Sequence, residues 1–245
     1  MILMGVVNLT PDSFREETRA MTPAAIKRRV KALLDRGCSI IDFGAVSTRP
    51  GAADVPVETE WQRLEPALAL VKKAGVPSPA VSIDTTSAEI VRRTYGRIGR
   101  FIVNDISAGE DDPEMLPTVA ELGLPYIAMH KRGNPRSMDA LTDYPQGVVK
   151  AVDDYFEQFA EKAEKLGITN WILDPGFGFA KTAEQNWELL ENLPVFKHFG
   201  RPILVGVADK RFTHTPNPFY PGQATSSEYA ERLAAERGAD ILRVH

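Results

Sequence analysis

One unit recurs eight times along this chain and limits what the chain can fold into. A short apolar run stops abruptly at polar residues, and an amphipathic stretch follows each run but the last. The first run, MILMGVV, breaks into Asn8-Leu9-Thr10-Pro11-Asp12-Ser13. The others end in IIDFGAVSTRPG (40–51), VSIDT (81–85), FIVNDIS (101–107), YIAMH (126–130), WILDPGFGF (171–179), ILVGVADKRF (203–212) and ILRVH (241–245). Short, nearly continuous apolar runs between turn signals read as strands buried on both faces. Strands that alternate with helical patterns imply a parallel sheet.

The spacing predicts strands near 2–7, 39–44, 80–84, 101–104, 125–129, 170–173, 203–207 and 240–244. It predicts helices over 22–37, 57–74, 87–95, 113–123, 146–167, 182–199 and 227–238. Thr22-Pro23 and Asp112-Pro113 are opening signals, and Gly37, Gly123, Gly167 and Gly238 are stop signals. Eight such strands imply an α/β fold closed into a (β/α)8 TIM-type barrel. An open doubly wound sheet is the alternative, although no glycine-rich dinucleotide fingerprint follows any strand. The chain stops at His245, just after the eighth strand, so the eighth helix of such a barrel is expected to be absent from it.

Composition narrows the function. At 245 residues the chain fits one barrel domain or two small domains, of which the strand pattern favours the single barrel, and 43% hydrophobic residues supply a sizeable core. The net charge of −4 argues against a nucleic-acid surface. No stretch reaches the ~18 apolar residues of a membrane span. The apolar N-terminus has no basic leader and reads as a strand. The single cysteine, Cys38, excludes an internal disulfide and reads as a core thiol, so a cytoplasmic setting is expected.

In a barrel of this kind, catalytic groups sit at the C-terminal ends of the strands. Asp84, Asn104 and Asp174 each end an apolar run there. A buried carboxylate is costly unless donors satisfy it, so these positions call for a donor-rich partner. For Asp84 an alternative is capping of the helix that follows. Arg243 and His245 lie two apart on the last strand and share a face. An Arg fork suits phosphate oxygens, a His can add a hydrogen bond, and barrels often bind phosphate after strands seven and eight. Asn8 ends the strand next to them once the barrel closes. The alternative for Arg243 is pairing with a core acid.

Five of these runs, NLTPDSF, STRPG, IVNDIS, LDPGFGF and RVH, stand in the order and at the spacing found in one family. Through them the whole chain resembles dihydropteroate synthase. The resemblance implies a reaction that joins 6-hydroxymethyl-7,8-dihydropterin pyrophosphate to p-aminobenzoate, and a place in folate biosynthesis. It implies that Asp84, Asn104, Asp174 and Lys210 read the pterin ring, with Gly206 beside it and Ile106, Met129 and Phe179 as apolar walls. Arg243 would stack on the ring and, with Asn8 and His245, hold the pyrophosphate. Asn8 would also stand near Mg²⁺, the implied cofactor. Thr48 and Arg49 would bind pyrophosphate or order their loop. Phe14, Thr48, Pro50, Phe179, Lys210 and Arg211 would surround p-aminobenzoate. Lys210, Arg243 and Asp174 are the residues expected to take part in the chemistry. The partners implied are small molecules, with no nucleic acid or membrane, and a homodimer is the implied assembly.

The chain departs from the family's pattern in two places. Arg15-Glu16-Glu17-Thr18 stands where the first loop commonly reads SDGG. Ala208-Asp209-Lys210-Arg211 replaces Ser-Arg-Lys-Ser, so an acid and Arg211 stand where a base and a small hydroxyl are usual. A pterin-binding methyltransferase of the same fold would share the Asp/Asn set but lack STRPG and the final Arg-x-His. A non-catalytic pterin-binding protein is the other alternative. His130 reads as structural. GFGFAKT (176–182) lacks the glycine before Lys181 that a phosphate-binding loop needs, so it is not read as one.

Overall fold

The computed structural model describes residues 1–10, 22–47, 54–74, 81–133, 140–223 and 225–245. The expected site residues Phe14, Thr48, Arg49 and Pro50 lie outside the described residues, as does the altered stretch 15–18.

Eight parallel strands form one sheet: β1 (Ile2–Asn8), β2 (Ile40–Gly44), β3 (Val81–Asp84), β4 (Ile102–Asp105), β5 (Tyr126–Met129), β6 (Trp171–Asp174), β7 (Leu204–Val205) and β8 (Ile241–Val244). The order β6-β5-β4-β3-β2-β1-β8-β7 brings β6 and β7 to the two ends. A bridge between Leu173 and Ile203, with Leu173 N–H donating to Pro202 O at 2.9 Å, joins those ends. The sheet is therefore a barrel, and the doubly wound alternative falls.

The described helices are α1 (Pro23–Asp35), α2 (Val57–Ala74), α3 (Ala88–Ile98), α4 (Met115–Leu122), α5 (Val148–Leu166), α6 (Ala183–Glu191) and α7 (Ser227–Glu236), one after each of β1–β7. Several begin where their side chains dictate. Thr22 accepts from Ala25 N–H at 3.2 Å, and Thr182 and Gln185 cap α6 reciprocally.

Three boundaries differ from expectation. The helix predicted over 182–199 is two elements, because α6 ends at Glu191 and a 3-10 helix spans Leu193–Phe199. Pro194 in the second element has no N–H to continue the α-helical ladder. Strand seven pairs only over Leu204–Val205, flanked by Pro202 and Gly206, which both weaken a ladder. Asp112-Pro113 does not open α4 directly. Asp112 instead accepts from Glu114 N–H at 2.9 Å and from Ala88 N–H at 2.8 Å, tying the starts of α3 and α4 together.

The barrel interior is layered. Met4, Ile40, Ile102, Ile127, Ile172, Leu204 and Ile241 form a buried apolar floor. Each side chain so buried contributes roughly 1.5–3 kcal/mol. A larger cluster, with Phe43, Tyr126, Phe156 and Trp187 fully buried, fills the space between sheet and helices. Cys38 belongs to that cluster, and burial raises its thiol pKa, as a core thiol requires.

Candidate active site

Side chains two apart on a strand share a face. Stepping two residues along from the floor turns Ile40 into Asp42, Ile102 into Asn104, Ile127 into Met129, Ile172 into Asp174, Leu204 into Gly206 and Ile241 into Arg243. Strand β3 follows the same rule from Ser82 to Asp84. The strand period thus places a partly polar ring above an apolar plug, at the C-terminal mouth, with Asp42, Asp84, Asn104, Asp174 and Arg243 set among Val6, Met129 and Gly206. Asp105, one residue after Asn104, illustrates the other face. Its carboxylate accepts from Ser107 N–H, Gly109 N–H and Tyr126 O–H at 2.7, 2.8 and 2.6 Å and fixes a turn.

Arg243 is the hub of the ring. Its Nε donates to Asp42 Oδ2 at 2.8 Å and its Nη2 to Asp84 Oδ2 at 3.0 Å. Asn104 Nδ2 donates to the same Asp42 oxygen at 3.2 Å. The structure therefore gives Arg243 the acid partners weighed as an alternative, and it gives Asp84 an arginine instead of a helix to cap. Capping of α3 falls to Ser87, which accepts from Ile90 N–H, while Thr85 accepts from Ser87 N–H. Burial pushes the Asp84 carboxyl up to about 7, against the pull of Arg243.

Asp174 is buried across the mouth, and its Oδ1 accepts from Gly176 N–H at 2.8 Å. Burial lifts its pKa to about 6, and the Gly176 bond, Arg243 and Lys210 hold it from rising further. Lys210 reaches over the Phe179 ring, its Nζ 4.7 Å from the centroid. Burial and then Arg243 depress its pKa to about 8. The three expected wall residues do meet: Ile106, Met129 and Phe179 pack with Ala180 in one small buried cluster.

Gly176 is required by the packing of the protein itself. Its φ is +73°, and a Cβ there would lie 1.9 Å from the His130 carbonyl oxygen, so packing within the protein requires glycine. At Gly206 a Cβ would stand 3.7 Å from Arg243 Cβ, an ordinary contact that nonetheless narrows the mouth beside the guanidinium.

Asn8 ends β1, which pairs with β8 in the register Met4 to Arg243, so Asn8 and His245 come from neighbouring strands. Burial and the Arg243 charge lower the His245 pKa to about 4, which leaves a neutral imidazole at pH 7. Arg211 is exposed at the start of a 3-10 turn, Arg211–His214, directly after Lys210. Asp209 beside it adopts φ +56° and donates its N–H to Ser227 Oγ at 3.0 Å.

Two features were not singled out from the sequence. Asp42 is fully buried and touches both Arg243 and Asn104. Its signal was available, since IIDFG carries an acid in an apolar strand as VSID and WILD do. The second is Lys181, whose Nζ lies 2.9 Å from His130 Nδ1 and donates to Gly176 O and Phe179 O at 2.9 and 3.1 Å. That lysine closes its own loop, which agrees with setting GFGFAKT aside as a phosphate cradle. His130 is the structural residue expected, with burial and then Lys181 depressing its pKa well below the usual imidazole range.

A parallel barrel with this polar ring, apolar walls and flanking cations defines a class, and the comparisons name it. Residues 4–245 match the model of the family described as pterin binding enzyme, and the chain belongs to that family. Within it, this is a member of the dihydropteroate synthases. A dihydropteroate synthase from Synechocystis sp. is 39% identical over 250 residues, covering 99% of this chain and 84% of the relative. The Xanthomonas albilineans dihydropteroate synthase solved with 4-aminobenzoic acid superposes with a TM-score of 0.83 at 36% identity, covering all of this chain and 87% of that one. The Burkholderia cenocepacia dihydropteroate synthase complexed with 7,8-dihydropteroate gives 0.82 at 30% identity, covering all of this chain and 85% of the other.

Proposed function

We infer that this protein condenses 6-hydroxymethyl-7,8-dihydropterin pyrophosphate with p-aminobenzoate to give 7,8-dihydropteroate and pyrophosphate. The observation that carries this reading is the gathering of Asp84, Asn104, Asp174, Lys210 and Arg243 at one barrel mouth, beside the Ile106–Met129–Phe179 wall.

The ring enters with its amino group and ring N–H toward Asp84, Asn104 and Asp174, three side chains that supply acceptors. Lys210 donates to the ring's carbonyl and a ring nitrogen. The flat face lies against the apolar wall and the Arg243 plane. Fixing both reactants in this way replaces a bimolecular encounter with an oriented one. The bond between the exocyclic carbon and the pyrophosphate oxygen breaks first, with the electron pair leaving on oxygen. The dihydropterin ring delocalises the resulting cation. The aniline nitrogen of p-aminobenzoate then attacks that carbon, forming the C–N bond in place of the broken C–O bond, and the resulting anilinium gives its proton to water. Arg243, His245 and Asn8 hold the departing pyrophosphate, and positive charge aimed at it lowers the barrier to its departure.

Mg²⁺ fits this end of the barrel as a companion of the pyrophosphate. Among the described residues no three His, Cys, Asp or Glu side chains converge to hold a metal, and Asn8 supplies a neutral amide oxygen. Mg²⁺ is commonly held by substrate phosphates, waters and one or two protein oxygens, which suits such a set. When bound it would neutralise charge on the leaving group. Phe14, Thr48 and Pro50 are proposed to contact p-aminobenzoate and Thr48 and Arg49 the pyrophosphate, with Arg211 near the p-aminobenzoate carboxylate. Among the described residues no helix is long and apolar enough to cross a membrane. A cytoplasmic homodimer is the proposed setting.

The test is pyrophosphate release from the dihydropterin pyrophosphate with and without p-aminobenzoate. Release that requires p-aminobenzoate supports condensation. Tight pterin binding without release would make this a binding protein only.

A further inference from the structure

We infer that Asp42 is a positioning residue that sets the polarity of the ring-reading site by locking the side-chain amide of Asn104. The proposal rests on the pterin reading above and goes beyond it, because it assigns the specificity to a group the ring does not touch.

Asp42 lies in the layer directly above the apolar floor and is fully buried. One of its oxygens, Oδ2, receives two hydrogen bonds: Arg243 Nε at 2.8 Å and an atom of the Asn104 amide at 3.2 Å. An arginine N–H can only donate, so this oxygen acts as an acceptor. An amide oxygen facing it would be a second acceptor against the first. The Asn104 amide must therefore turn its Nδ2 toward Asp42. The amide is planar, so this commitment turns Oδ1 the other way.

The consequence is chemical. A free asparagine is ambivalent, because its amide offers a donor on one side and an acceptor on the other. With Nδ2 committed below, Asn104 is held as an acceptor and joins the carboxylates of Asp84 and Asp174. A mouth with three acceptors selects a heterocyclic edge made of N–H groups and rejects an edge of carbonyl oxygens. Leaving buried polar groups unpaired is what makes such discrimination strong. Replacing Asp42 with a neutral amide would free Asn104 to present either atom.

The test compares two bicyclic rings that differ at one position: pterin, with a 2-amino group, and lumazine, with a carbonyl there. Affinities for both are measured by calorimetry on the wild type, Asp42→Asn, Asn104→Ala and the double variant. The wild type is expected to prefer pterin by tens-fold or more. Asp42→Asn is expected to reduce the preference to a few-fold, and Asn104→Ala to reduce it similarly. The double variant is expected to match Asn104→Ala alone, because Asp42 acts through Asn104. A merely structural role would weaken both rings equally and keep the ratio. A preference that persists in Asp42→Asn overturns the role given to Asp42. A wild-type ratio near one overturns the pterin reading itself.

A second measurement needs only the wild-type protein, in case Asp42→Asn does not fold. The Asn104 side-chain NH₂ resonances, assigned by comparison with Asn104→Ala, are followed while pterin is added. Protons directed at Asp42 are expected to stay slow to exchange and nearly unshifted. A large ligand-induced shift, with loss of protection before ligand is added, would show that Nδ2 faces the ring and would overturn the proposal.

Discussion

Arg243 Nη2 donates to Asp84 Oδ2 across 3.0 Å and joins residues 159 positions apart in the chain. The acid proposed to read the ring thus touches the cation proposed to hold the leaving group. Ring recognition and leaving-group binding share one set of charges, with Asp42 as the third member.

Arg243→Ala removes the cation between two acids. Deleting one partner of a buried pair strands the other, at about 3–5 kcal/mol. Arg243 retains 24% side-chain exposure, so water offsets part of that cost. A loss of about 3 kcal/mol in urea unfolding is expected, together with a larger loss of affinity for the pterin pyrophosphate than for free pterin. Equal losses for the two ligands would contradict the pyrophosphate role.

Binding of the ring should depend on pH. An ionised carboxylate offers ring N–H groups two charged acceptors, whereas protonation turns one oxygen into a donor and weakens the other as an acceptor. Burial raises Asp174 to about 6 and Asp84 to about 7, so affinity should climb as pH rises from about 5 through 7, and fall again above about 8, where Lys210 loses its charge. Asp84→Asn should remove the upper part of that climb. It should also weaken pterin by about 1.5–3 kcal/mol, the worth of a charged hydrogen bond. Calorimetry across that pH range reads both effects, and a flat wild-type profile would rule out ionisation of these acids as a condition of binding.

Ala180 sits at φ +51° between Phe179 and Lys181, a backbone region that costs a side chain roughly 1–2 kcal/mol. The Lys181 bonds to Gly176 O and Phe179 O, and Tyr144 Oη on Ala180 O at 3.0 Å, hold the loop there. Ala180→Gly should stabilise the protein by about 1 kcal/mol and raise its melting temperature by roughly 2–4 °C. A lower melting temperature would mean that the Ala180 methyl, buried with Ile106 and Met129, outweighs the strain.

The period-two rule made much of this site legible in the sequence. Asp84, Asn104 and Asp174 end apolar runs, and the strands deliver them to one mouth. Asp42 obeys the same rule but is harder to read, because the run continues past it through the apolar Phe43-Gly44-Ala45-Val46 and so shows no sharp strand end there. The break at Asn192 was hidden because Leu193, Val195 and Phe196 keep a helical apolar pattern while Pro194 stops the ladder. Likewise no pattern reveals that Gly176 must pass the His130 carbonyl, since that contact exists only after the two strands pair.

Arg211 tests the altered half of the site. Asp209 stands where the family's pattern has a base, and Arg211 two residues on restores a positive charge. Arg211→Ser should raise the Michaelis constant for p-aminobenzoate several-fold, as expected from losing about 1 kcal/mol of exposed charge attraction. Pterin affinity should not change, nor should turnover of aniline, which lacks the carboxylate. An unaltered constant for p-aminobenzoate would remove Arg211 from that subsite.

The central claim is that the side chains at the barrel mouth perform the condensation. The most direct measurement is formation of 7,8-dihydropteroate from the pterin pyrophosphate and p-aminobenzoate, followed chromatographically for the wild type and for Lys210→Met. That substitution keeps an unbranched, largely apolar chain over Phe179, one atom shorter, and removes the ammonium with its charge and donors. The account predicts steady product from the wild type and at least a hundred-fold slower formation by the variant, with its melting temperature within a few degrees. Equal rates, or no product from the wild type under saturating substrates, would contradict it.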